Sequence, residues 1–169
     1  VDSLGYCIEY YNDANGNGSY EFEASDLAFK GNGNILSYDW GFGVPPGITT
    51  DIVFKARYYG YFYANYTGTY TFFVSKSTFN KAKFLISTGD DAPSDLGASD
   101  VLMEDWGSGN TKETISGNIT LTEGNWYAWK LDYANVDAQS YIVLRYREPN
   151  MATNTSGYYS DYDTDGEYH

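Results

Sequence analysis

"GTYTFFVS", residues 68–75, decides the fold. Read by twos, it sets Tyr70, Phe72 and Val74 on one side and Thr69, Thr71 and Phe73 on the other. A period of two belongs to an extended chain with one face turned to a core. The same reading extends in both directions. "DIVFKARYYGYFY" (51–63) is rich in β-branched and aromatic residues, and "KFLIS" (83–87) is short and apolar. "NITLT" (118–122) puts Ile119 and Leu121 together, and "WYAWKLDYA" (126–134) sets Trp129, Leu131 and Tyr133 against Lys130 and Asp132. "YIVLRYR" (141–147) buries Ile142, Leu144 and Tyr146 by the same rule. No stretch with the 3.6 period of a helix runs beyond a couple of turns. The pattern predicts an all-β fold, an antiparallel β-sandwich. Residues 12–19, 31–34 and 89–117, full of Gly, Asn and Asp, read as loops.

Composition agrees and narrows the partners. There are 19 tyrosines and 18 glycines, a balance that favours strands and turns over long helices. Acidic residues outnumber basic ones 23 to 10, a net charge of −13 that repels nucleic acid and anionic lipid. No apolar run is long enough to enter a membrane as a helix. With 169 residues the chain suits one domain, residues 1–169, and it opens without a secretory signal, as though already processed. Cys7 is the only cysteine, so it is buried, free, or paired with something outside the chain. N-x-S/T sequons at Asn17, Asn65, Asn118 and Asn154 lie in polar, turn-like sequence and point to a secreted or surface glycoprotein.

With the strands in place, the order of motifs resembles a known group. "YFYANYTGTYTFFV" followed by "KFLISTGDDA", then "ITLTEGNWYAWKLDYANV", with "GYCIEYY" near the start and "TSGYYSDYD" near the end, is similar to the anthrax protective-antigen-like lectin domain in its fungal GLEYA/flocculin adhesin branch. The likeness spans residues 5–163. It implies a β-sandwich lectin on a fungal cell wall, held by a stalk and a GPI lipid anchor. It also implies a site at one end of the sandwich, where two aspartates before the "KFLIS" strand and an asparagine after the later Y-x-N strand hold a calcium ion that sugar hydroxyls complete.

This sequence departs from that pattern. Asp90 and Asp91 follow the "KFLIS" strand instead of preceding it, so they read as a solvated turn at the pole opposite Asn135. The hairpin that should carry the acids, "SKSTFNKA" (75–82), has none. Calcium is therefore possible but not assigned, with Asn135 and Asp137 as candidate ligands. Two readings of the hairpin lysines stay open. Lys76 and Lys81 are exposed residues, or the ammonium of Lys81 (or Lys76) takes part of the vacated position and faces Asn135 and Asp137. For carbohydrate binding the candidates are Asn135, Asp137 and Gln139 on one wall and Asn80 and Lys81 on the other. Trp106 either stacks on a sugar or anchors its loop.

Other chemistry is thinner. Asp13, Asn15 and Asn17 with Gly18 begin a calcium-loop pattern, but the twelfth position is Ala24, with Glu21 or Glu23 as substitutes. Asp161, Asp163, Asp165 and Gly166 give a second fragment of it. Both read as acidic turns. An enzyme is disfavoured, since the one histidine is His169 and no nucleophile–base pair, phosphate loop or zinc spacing is present. The expected function is a cell-surface adhesin domain that binds cell-surface glycans, monomeric but displayed in many copies. The alternative is a protein-binding or spacer module on the same fold.

Overall fold

A computed structural model describes residues 5–50, 53–107, 112–136 and 139–149. Among the described residues ten strands form two antiparallel sheets. They are β1 (Tyr6–Asn12), β2 (Leu27–Gly33), β3 (Ser37–Gly41), β4 (Phe54–Tyr63), β5 (Gly68–Lys76), β6 (Lys81–Ile86), β7 (Val101–Asp105), β8 (Thr114–Leu121), β9 (Trp126–Asn135) and β10 (Ser140–Arg147). The larger sheet runs β2-β1-β4-β9-β6-β7 and the smaller β3-β10-β5-β8. The expected β-sandwich is what the chain forms.

The inner faces meet as the alternation requires. Tyr70, Phe72 and Val74 of β5 pack with Ile142, Leu144 and Tyr146 of β10 against Phe54, Tyr58, Phe62, Trp129, Leu131 and Tyr133 of the larger sheet. Aromatic edges fit into aromatic faces, as where Phe62 meets Tyr146 at 4.8 Å and Trp40 meets Phe54 at 5.2 Å.

The outer face of the larger sheet is less solvated than the pattern of charges predicts. Lys130 and Asp132 are both buried, Asp132 completely. Two chain segments cover them. The first brings Tyr20 and Phe22 over Arg57 and Lys83. The second packs Leu96 on Leu85 and Ala128, and there the Lys130 ammonium donates to the Leu96 carbonyl at 3.0 Å. Lysine stems and paired charges thus take part in the packing.

Candidate functional site

The strand register fixes two poles. Phe54 lies opposite Asn135, and Lys81 opposite Ala134, at one end of the larger sheet. Ile86, at the other end of β6, lies opposite Trp129. Five residue steps of strand, about 17 Å, separate Lys81 from Ile86. Asp90 and Asp91 come after Ile86, exposed, with Asp91 accepting a hydrogen bond from the Ser87 hydroxyl at 2.5 Å. They form a turn at the pole away from Asn135, as their order in the sequence predicts.

At the Asn135 pole three segments close on one another. Asn80, at the tip of the β5–β6 hairpin, donates from its amide to the Tyr133 hydroxyl at 2.7 Å and the Gln139 carbonyl at 3.0 Å, and accepts from Val136 N–H at 3.1 Å. The hairpin is therefore joined to Val136 and Gln139. The joint itself corrects one expectation, because Asn80 is wholly buried with its amide fully engaged and has nothing left to offer a sugar. The third segment is the loop after β1. There Asp13 accepts from Gly18 N–H at 2.8 Å, and Gly18, at φ +56°, lies so close to Val136 that an added Cβ would sit 2.5 Å from its methyl. Only glycine fits that contact.

Both lysines of the hairpin depart from the expectation of exposed side chains. Lys76 is completely buried, 2.8 Å from a carboxylate oxygen of Asp105, and its ammonium also donates to the Lys112 carbonyl at 2.8 Å. Lys81 is half-buried, and its ammonium donates to the carbonyls of Asn17 (3.1 Å) and Gly18 (3.0 Å). It ties the β1–β2 loop to the hairpin; Asp137, which one reading sets opposite it, lies outside the described residues.

These contacts test the family's calcium ion against the residues present. Where the resemblance requires two carboxylates, the hairpin supplies one buried and one half-buried ammonium, and the neighbouring carbonyls of Asn17 and Gly18 already face a cationic group. Among the described residues no three His, Cys, Asp or Glu side chains come together. The described donor set does not fit calcium. The β1–β2 loop gives the same answer, since Asp13 is buried and turned inward to Gly18 and the Asn17 side-chain oxygen accepts from Ser19 N–H, so the loop gathers no cluster of carboxylates.

The remaining candidates divide by exposure. Asn135 is fully buried and Gln139 is exposed. Asp137 and the 161–166 acidic run lie outside the described residues. Trp106 meets Tyr20 edge-on at 4.9 Å and tilts against Phe22 at 6.4 Å, which anchors the loop after β7 to the covering segment. Beneath them Arg57 grips Asp132 with two hydrogen bonds (2.7 and 3.0 Å) and Tyr20 donates to the same carboxylate at 2.6 Å. Burial works against the guanidinium, but the Asp132 carboxylate holds its pKa above the ordinary value.

Two residues at this pole escaped the sequence reading. Phe42, just past β3, is 75% exposed, and Phe79, in the β5–β6 hairpin, is 58% exposed. β10 lies between β3 and β5, so the two rings flank the start of β10 and Gln139. The available signal was a phenylalanine among turn formers, in "WGFGVPP" and "KSTFNK".

Residues 54–147 match the GLEYA domain. The chain belongs to the GLEYA domain family. Among solved structures, the GLEYA chain is similar to the epithelial adhesin 9 A domain of Candida glabrata, in complex with Galβ1-4GlcNAc (TM-score 0.65, 16% identity, covering 93% of this chain and 89% of that one). A subtype-switched form of that adhesin, in complex with β-lactose, gives 0.68 at 16% identity, covering 96% and 86%. An anti-sigma factor domain-containing protein from Clostridium clariflavum gives 0.68 at 23% identity, covering 89% of this chain but 44% of that one, so this chain spans less than half of its length. At such identities the likeness is one of fold. A search of curated proteins found no match.

Proposed function

We propose that residues 1–169 form one carbohydrate-binding adhesin domain, displayed outside the cell on a fungal cell wall and acting without calcium. The observation that carries this reading is GLEYA membership over residues 54–147, joined to a fold shared with adhesin domains crystallised on galactosides. The ligand's place is the Asn135 pole. Gln139 forms one wall with Asn135 behind it, Phe79 and the Lys81 end of the hairpin form the other, and Phe42 closes the side. Exposed aromatic rings beside an amide suit a sugar, which has an apolar face and a rim of hydroxyls. Such single sites are weak, and many displayed copies raise the effective concentration. Exposed sequon asparagines at positions 17, 65 and 118 fit an extracellular, glycosylated surface.

A glycan array probed with the wild type and with Phe79→Ala and Gln139→Ala variants tests the assignment. Binding to neutral galactosides that falls at least fivefold in either variant supports it. A silent array, with cell–cell adhesion retained, favours the second reading of a protein-binding or spacer module, which the missing aspartate pair motivates. Binding without turnover is expected, so chromogenic glycosides should remain uncleaved.

A further inference from the structure

On the outer face of the larger sheet, at the pole away from Asn135, lies a groove of about 590 Å³. Register places its walls. Asn32 of β2 lies beside Cys7 of β1, which lies beside Tyr59 of β4, and Tyr61 follows two residues on along the same face. Tyr61 is 45% exposed and Trp126 54%, and the Trp126 ring packs at 5.0 Å against Tyr63. Two large aromatic rings exposed side by side in one groove require a reason that scattered surface rings do not.

The lining also selects a ligand. It contains no ionised side chain, but it offers the amides of Asn32 and Asn34, both exposed, beside the aromatic rings. Amides donate and accept at once, as hydroxyl-rich ligands require, while rings cover the axial C–H faces of pyranoses. Gly5 lines the groove, exposed, and a Cβ there would meet nothing within 4 Å. A volume of this size lies within the usual range for small-molecule sites. A net charge of −13 makes a second copy of the chain a poor occupant and disfavours anionic glycans.

We infer that the Tyr61–Trp126 groove is a second carbohydrate site, one that takes a neutral, extended oligosaccharide along the sheet face. It rests on the carbohydrate-binding reading for its ligand class, but it uses none of the residues of the Asn135 pole.

Native gel retardation in soluble hydroxyethyl cellulose, barley β-glucan or glycol chitin tests it. The wild type should be retarded by at least one polymer. The Tyr61→Ala/Trp126→Ala double variant should lose at least tenfold in affinity, and Gly5→Trp, which adds bulk to the groove lining, should lose retardation with the same circular dichroism spectrum. Phe79→Ala and Gln139→Ala should leave retardation unchanged. No retardation in any polymer, or loss caused by the pole variants instead, would overturn the inference. So would a wild-type dimer that the double variant dissolves, since the face would then join two copies. A chain that binds galactosides on the array but passes freely through every gel refutes this groove alone. A chain retarded through Trp126 but silent on the array refutes the pole assignment alone.

Discussion

The ammonium of Lys76, fully enclosed, lies 2.8 Å from a carboxylate oxygen of Asp105, whose side chain is 13% exposed. The contact is ionic and lacks the alignment of a hydrogen bond. It locks the end of β5 to the end of β7, so the hairpin for which the resemblance implies two acids is built around a buried cation. Removing either partner has unequal consequences. Asp105→Ala strands a buried charge and should cost about 3–5 kcal/mol. Lys76→Met leaves a carboxylate that water still reaches, and should cost less. Urea denaturation of both variants checks the order, and equal losses would contradict it.

Lys81 and Gly18 hold the β1–β2 loop at the Asn135 pole. Lys81→Met removes two charge-assisted hydrogen bonds from a half-buried ammonium, a loss of about 1–2 kcal/mol. Gly18→Ala should cost about 2 kcal/mol or more, because it combines positive φ with a clash against Val136. Thermal melts should rank Gly18→Ala at or below Lys81→Met. A neutral Gly18→Ala would mean that the loop does not pack on Val136.

Arg57 and Asp132 allow a sharper comparison. Arg57→Ala leaves a wholly buried carboxylate with Tyr20 as its remaining donor, and should cost about 3–5 kcal/mol. Tyr20→Phe removes one hydrogen bond to that carboxylate and keeps the ring against Trp106, a loss of about 1–2 kcal/mol. Denaturation midpoints at constant slope test both values.

Stability should fall at both extremes of pH, for opposite reasons. Burial pushes the hydroxyls of Tyr6, Tyr58 and Tyr133 well up, and burial with Glu9 nearby takes Tyr59 to about 12. The folded state keeps these protons where the unfolded chain would release them. The stabilisation is therefore complete below about pH 10 and is lost as the pH rises towards and beyond 12. Glu9 behaves in the reverse sense. Burial raises its pKa, but hydrogen bonds from Tyr11 and Lys30 outweigh that and hold it below the ordinary value. Its contribution is present above the usual carboxylate range and is lost as the pH falls through its folded pKa. Tyrosinate absorbance should rise in two stages, exposed rings first and buried rings together with loss of near-ultraviolet dichroism. A single early stage with the fold intact would contradict this.

The sequence made the inner strands legible and hid most of the edges. β4, β5, β6, β9 and β10 stand within a few residues of their expected places, because each turns an alternating row into the core. β2 contains Gly31, Asn32 and Gly33, which read as a turn, and β7 lies inside the segment read as a long loop. These two are the edges of the larger sheet, and β3 is an edge of the smaller one. Edge strands pair on one side only and need less apolar patterning. β1 failed for the opposite reason, since most of its residues are buried and its alternation is lost. At the candidate site, sequence order placed Asp90 and Asp91 at the correct pole. It did not reveal that Asn80 and Lys76 face inward, because which partner a polar side chain meets depends on contacts between strands far apart in the chain.

Glycan binding measured in the presence of EDTA tests the central claim most directly. Retained binding to the same sugars at the same strength is the predicted result. Loss of binding on chelation, restored by added calcium, would contradict a pole built on ammonium groups and return an ordinary metal-centred lectin site.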